Sequence, residues 1–184
     1  MKRVFEYNYF RLRHAEEKDI SGFIKISADW DVMRYYGEGG GVCKTLDDAE
    51  KQIDWCRRSF QENAGRWIIT EKDKDEYIGD IGFSEFVKQH KRADIGYRLM
   101  KQYWGRGIVS SFLGQLVEWG FSDLGYNRIE AQVDVRNIGS KRVLQKCGFT
   151  TEGVLREYEF EHGGYVDLEI CSVLRKDYLL QRGV

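Results

Sequence analysis

The sequence predicts a mixed α/β (α+β) domain, built on a twisted, largely antiparallel sheet with one internal βαβ crossover and helices on its faces. Three observations carry this. The chain holds both segments with helical apolar spacing and short strand-like segments. There is no proline, so Gly, Asn, Asp and Ser must make every turn, and twenty glycines punctuate the chain. The elements run strand, two helices, three strands, helix, strand, helix, two strands, which leaves one strand–helix–strand crossover in the middle. A length of 184 residues fits a single domain over 1–184, at roughly 100–200 residues per domain.

Residues 10–14 read as a strand and 17–28 as a helix, with Ile20, Phe23, Ile24 and Ser27 at helical spacing. Gly37, Gly39, Gly40 and Gly41 predict a mobile loop over 36–42. Thr45 caps a helix over 46–62, with Asp48 where a capping-box acid sits and Ile53, Cys56 and Phe60 on its buried stripe. Residues 66–71 and 77–86 form a hairpin around the polar turn 72–76, and 93–100 is the next strand. Gly105-Arg106-Gly107 leads into a helix over 108–123, with Ile108, Phe112, Leu116 and Val109, Leu113, Val117 facing the core. A strand over 128–134 follows, then a short helix over 140–147 stopped by Gly148. Residues 150–161 and 165–174 close the chain as a hairpin around His162-Gly163-Gly164.

Composition excludes several functions. Twenty-nine basic and thirty acidic residues leave a formal charge of −1, so net charge does not call for nucleic acid. The basic turn over 88–92 reads as solvated. No apolar run approaches the roughly 18–20 residues that span a bilayer, and the N-terminal residues do not read as a secretory signal, so no membrane partner and a cytoplasmic location are expected. Cys43, Cys56, Cys147 and Cys171 lack CxxC spacing and read as reduced thiols. His14, His90 and His162 are dispersed, so no metal is expected.

The segment from Ile95 to Ile108 is a strand, a glycine turn and a helix start. Exposed N–H groups and the helix dipole make such a turn an anion site. Gly105 and Gly107 let an anion approach the backbone, and Arg106 adds charge-assisted hydrogen bonds. A dinucleotide fingerprint would need glycine where Ser110 stands, and a P-loop would need glycine where Cys43 precedes Lys44-Thr45. The P-loop is rejected; on these residues alone the dinucleotide reading stays as a rival.

A second segment decides between them. Q-x-x-G-x-G at 102–107 together with N-x-x-S-x-x-V-L-x-K-x-G-F at 137–149 resembles the GNAT superfamily of acetyl-CoA-dependent N-acetyltransferases. Tyr103-Trp104-Gly105, Gly148-Phe149 with Glu152-Gly153, and Tyr165 with Asp167 resemble its RimJ/RimL branch, over about residues 10–178. The resemblance implies two central strands, 93–100 and 128–134, that splay to admit the pantetheine arm, which bonds main-chain groups near Tyr97 and Leu99. It implies that the pyrophosphate lies on the amides of Gly105, Arg106, Gly107, Ile108 and Val109, with Gln102 shaping the turn. Asn137 would bind the arm through its amide, and Ser140 would lie near the thiol sulfur. Many members carry a Tyr acid seven residues after the Asn; here that position is Leu144. Ser140 is the substitute, as a hydrogen-bond donor to the leaving thiolate or else as the cap of the following helix. Ile138 stands where the branch often has Pro.

The acceptor is a primary amine: a protein N-terminal α-amine, a ribosomal one included, or a small molecule. It must be neutral to attack, so a carboxylate base is expected. Glu159 matches the branch's proposed catalytic carboxylate. Period-2 spacing places Glu157, Glu159 and Glu161 on one strand face, with Tyr165 and Asp167 on the facing strand as further substrate contacts. Glu85, Asp94 and Glu130 are the other base candidates. The alternative is a non-catalytic acyl-CoA-binding sensor or interaction module on the same fold. A homodimer stays open under either reading.

Overall fold

The computed structural model describes residues 4–37, 41–62 and 64–181. Its elements are β1 (Glu6–Tyr7), β2 (Phe10–Arg13), α1 (Ile20–Ser27), α2 (Trp30–Met33), α3 (Leu46–Ser59), β3 (Gly65–Glu71), β4 (Tyr77–Val87), β5 (Arg92–Leu99), α4 (Ile108–Ser122), β6 (Arg128–Asp134), α5 (Ile138–Lys146), β7 (Thr150–Glu161), β8 (Gly164–Leu174) and α6 (Arg175–Gln181). The eight strands form one sheet in the order β1-β2-β3-β4-β5-β6-β8-β7. Every neighbouring pair is antiparallel except β5 and β6, which are parallel and joined through α4. The mixed fold class expected from the sequence is the one observed.

Three elements were not expected: β1, α2 and α6, each short enough to give no periodic signal. The helix expected over 17–28 starts instead as a 3-10 turn, Glu17–Asp19. Buried Asp19 accepts two Arg13 hydrogen bonds at 2.7 Å and the Glu16 N–H at 2.8 Å, and α1 begins only at Ile20. The loop expected to be mobile over 36–42 falls partly outside the described residues, at 38–40.

Helices cover both sheet faces. On one, α4 buries the two expected rows, Ile108, Phe112, Leu116 and Val109, Leu113, Val117, against Ile81, Ile95 and Ile129. Replacing fully buried Phe112 by Ala is worth about 3–5 kcal/mol. On the other face, Phe23 and Ile26 of α1 and Ile53 and Cys56 of α3 pack on Ile68 and Tyr77. That second face also buries charge. Asp80 of β4 is fully buried between Arg66, whose Nε lies 2.7 Å away, and Arg98, whose Nε lies at 3.1 Å; the Tyr77 hydroxyl donates to it as well. Burial alone would raise the Asp80 carboxyl, but the two guanidiniums outweigh it and hold it below its ordinary value.

Candidate active site

The parallel pair makes the site. β5 and β6 are in register only at Arg92–Arg128, Ala93–Ile129 and Asp94–Glu130. Beyond Asp94 they part, and the β5 edge that would have paired with β6 borders a cavity of about 390 Å³. Gly96, Tyr97, Leu99, Gln132 and Val133 line it from the two strands. Trp104 Nε1 donates to the Leu99 carbonyl at 2.7 Å and fixes the outer end of β5.

The start of α4 forms one wall. Gly105 and Gly107 both have left-handed backbone, φ 74° and 75°, which favours glycine. Gly107 is the N-cap of α4 and supplies no side-chain bond to the first-turn amides; no acidic residue stands in that turn either. A Cβ on Gly105 would meet nothing within 4 Å, so the backbone there is open to a ligand. Gly105, Arg106, Gly107, Ile108 and Val109 all line the cavity, as an anion held on helix amides requires. Gln102 does not: it is exposed in the 3-10 turn Lys101–Tyr103, and the neighbouring Tyr103 and Trp104 line the cavity instead.

The start of α5 forms the opposite wall, with Asn137, Gly139, Ser140, Val143 and Leu144. Asn137 is the N-cap, its Oδ1 accepting the Ser140 N–H at 3.0 Å. This corrects one of the two readings of Ser140: it sits inside the first turn and caps nothing. Its Oγ lies 2.6 Å from the Tyr97 hydroxyl. Burial raises the Tyr97 phenol above its usual value, so it stays protonated.

The carboxylates divide differently from the expected pattern. A bulge between Leu155 and Glu159 breaks the period-2 alternation, Glu157 takes φ 50°, and its N–H donates to Asp167 at 2.7 Å. Glu157 therefore does not continue the face of Glu159 and Glu161. Glu159 pairs in register with Val166, so Tyr165 and Asp167 point to the other side of the sheet. None of Glu157, Glu159, Tyr165 and Asp167 lines the cavity. Through β8, Glu159 shares its face with Gln132 of the cavity, because Val166 and Ile170 alternate in phase and Ile170 pairs with Gln132. Its carboxyl is raised by partial burial and by Glu161.

The secondary candidates are gathered instead. Glu85, Asp94 and Glu130 occupy paired positions on β4, β5 and β6, just where the strands part. Burial, then a hydrogen bond with Glu130 and its charge, then Glu85 push Asp94 up to about 7. Cys147, near Ser110, has its thiol pushed up to about 11 by burial, an inert position. Among the described residues no group of His, Cys, Asp or Glu could hold a metal, and no helix is long and apolar enough to cross a membrane. Val32, Tyr35 and Tyr36 complete the cavity. Sequence reasoning missed them, since they flank a glycine loop with no periodicity.

Comparison with known proteins decides the family of the chain. Residues 10–150 match the model of the acetyltransferase (GNAT) domain. The chain belongs to the GNAT family. It is 34% identical over 173 residues to the uncharacterised N-acetyltransferase YoaA of Bacillus subtilis, covering 94% of this chain and 97% of that one. Its fold matches RimL, a ribosomal L7/L12 α-N-protein acetyltransferase solved with coenzyme A, with TM-score 0.83, 21% identity and 94% and 98% of the two chains covered. It also matches Vibrio cholerae spermidine N-acetyltransferase, solved with CoA and spermine, with TM-score 0.80, 22% identity and coverage of 93% and 98%. This GNAT chain is thus an N-acetyltransferase that draws on acetyl-CoA, and the uncapped α4 turn and the open β5 edge fit that co-substrate.

Proposed function

We propose that the protein acetylates a single α-amine, that of a peptide or protein N-terminus or of a small amino compound, by direct attack in a ternary complex. The carrying observation is the charge of the cavity. Among the described residues its lining contains no Asp or Glu, and its only charged side chains are Arg98 and Arg106. A polyamine carries several positive charges and needs acidic lining; an α-amine, with a pKa near 7.7–8.0, is already partly neutral. Acetyl-CoA supplies the acetyl group as a thioester. In this reading the amides of 105–109 and the Asn137 side chain hold it, and the Ser140 hydroxyl faces the sulfur. Glu159 takes the amine proton, directly or through water; its raised carboxyl and its place on the face of Gln132 support that role.

Asp94 is the second reading for the base, favoured by its value of about 7 where β5 and β6 part. A panel of peptides with free N-termini, amino acids, polyamines and aminoglycosides, read by release of free thiol, tests the acceptor class. Turnover of polyamines above all peptides and amino acids would overturn it. The best acceptor then separates the bases. Glu159→Gln is expected to lower turnover, by up to about 10²–10⁴-fold, with acetyl-CoA affinity kept and the loss smaller at high pH. If Asp94 is the base, the rate of wild type rises as pH climbs through about 7, because the carboxyl must lose its proton, and Asp94→Asn removes that limb.

A further inference from the structure

The position at which many relatives carry a tyrosine acid is Leu144 here, buried and unable to donate. A different phenol enters the same cavity from the opposite strand. Tyr97 stands on β5 beyond the last β5–β6 register pair, and its side chain crosses the splayed gap to α5. Its hydroxyl lies 2.6 Å from Ser140 Oγ and 3.3 Å from the Ser140 carbonyl. A phenol is the more acidic of the two hydroxyls and the better donor, and burial keeps this one neutral. The short contact accommodates a bond from Tyr97 to Ser140 Oγ. With the phenol as donor in that contact, the Ser140 proton is left for a group inside the cavity.

We propose that Tyr97 is a positioning residue: by donating to Ser140 Oγ it directs the Ser140 hydroxyl at the departing sulfur and strengthens it as a donor. The inference rests on the reading above that Ser140 faces that sulfur. Both hydroxyl protons stay on their oxygens. The bond to nitrogen forms, the bond to sulfur breaks with its electron pair, and the pair of hydroxyls stabilises the resulting thiolate by hydrogen bonding. A donor chain of this kind polarises along its length, so Ser140 alone is a weaker donor than Ser140 with Tyr97 behind it. The competing account is that Tyr97 is only a strut between β5 and α5.

The two accounts part on the ionisation of bound CoA. CoA is titrated with the wild type, Tyr97→Phe, Ser140→Ala and the double variant, and the thiol is followed by thiolate ultraviolet absorbance across pH. The wild type is expected to hold the bound thiol about one unit below the free value of about 8.5. Both single variants should return it towards the free value, and the double variant should add nothing further. In turnover, Tyr97→Phe should lower kcat about tenfold with the KM for acetyl-CoA within about twofold. A fluorotyrosine at position 97 keeps the shape, strengthens the donor and should lower the bound thiol further; it also serves if Tyr97→Phe fails to fold. A folded Tyr97→Phe, or the fluorotyrosine form, with the wild-type thiol pKa overturns the inference and leaves Tyr97 a strut. Failure of the wild type to bind CoA would overturn the underlying reading, and the inference with it.

Discussion

At the start of α3, Thr45 Oγ1 accepts the Asp48 N–H at 3.2 Å and Asp48 accepts the Thr45 N–H at 2.9 Å. Asp47 and Asp48 add negative charge to the first turn. At the start of α4, Gly107 holds the same position with no side chain, and no acid stands nearby in the turn. Both helices are amphipathic and well packed, and each leaves four backbone N–H groups without helical partners at its start. At α3 the chain satisfies two of these, the Thr45 and Asp48 N–H groups, from its own side chains, and at α4 it opens the helix start onto a cavity. A helix start with no cap, no acid and left-handed glycines in front of it leaves its amides free for a partner from outside, which in the proposed reading is an anion. α5 lies between the two extremes, since its cap residue Asn137 spends Oδ1 on Ser140 N–H and keeps its amide nitrogen beside the cavity.

The strongest way to break this contrast is to give α4 the acid it lacks. Gly107→Glu should abolish measurable acetyl-CoA binding while the protein stays folded. The new Cβ would touch only the Tyr7 hydroxyl at 3.4 Å and Ser110 Oγ at 3.9 Å, and the left-handed backbone costs about 1–2 kcal/mol. The carboxylate would sit where the proposed reading places the pyrophosphate, next to the positive end of the helix dipole. Calorimetry with acetyl-CoA and a thermal melt check both halves; unchanged affinity in a folded variant removes the pyrophosphate from this turn.

A smaller effect is expected at α5. Asn137→Ala should weaken CoA by about 1–3 kcal/mol, the cost of leaving a buried polar partner unpaired. Because Asn137 is also the cap, the same change should lower stability by about 0.5–2 kcal/mol. The two losses are separable. Asn137→Asp keeps the cap oxygen and loses the amide nitrogen, so it should restore stability and not affinity. Recovery of both would assign Asn137 to the helix alone.

The same contrast explains how much was legible in the sequence. The α4 turn and the α5 start are local: Gly105, Gly107, Asn137 and Ser140 lie within a few residues of the elements they open, and their spacing survives folding unchanged. Thr45 with Asp48 was legible for the same reason. The candidate base carboxylates are spread over β4, β5, β6 and β7, and no spacing along the chain encodes how those strands are brought side by side. Glu157 was misplaced because it stands inside a bulge, where β7 advances four residues from Leu155 to Glu159 against two on β8, and its left-handed backbone takes it out of the alternation. Tyr165 and Asp167 failed with it, since register between two strands decides which residues share a side. Asp94 and Glu130 could be named as carboxylates on strands, but only the parallel pairing brings them together.

The smallest effect, and the control that sharpens the comparison, lies at α3. Thr45→Ala removes the side chain that accepts the Asp48 N–H and breaks the reciprocal box. A lost N-cap is worth about 0.5–2 kcal/mol, and this one is exposed, which places it toward the lower end. Thr45 does not line the cavity, so affinity for acetyl-CoA should not move. Gly107→Glu and Thr45→Ala should thus part on ligand and not on stability, each costing about 0.5–2 kcal/mol in folding and only the first losing acetyl-CoA. A chemical denaturation series beside the calorimetry reads both. If Thr45→Ala weakened acetyl-CoA as Gly107→Glu does, the two helix starts would be coupled through the fold, and the open turn of α4 would owe its affinity to more than its own unpaired amides.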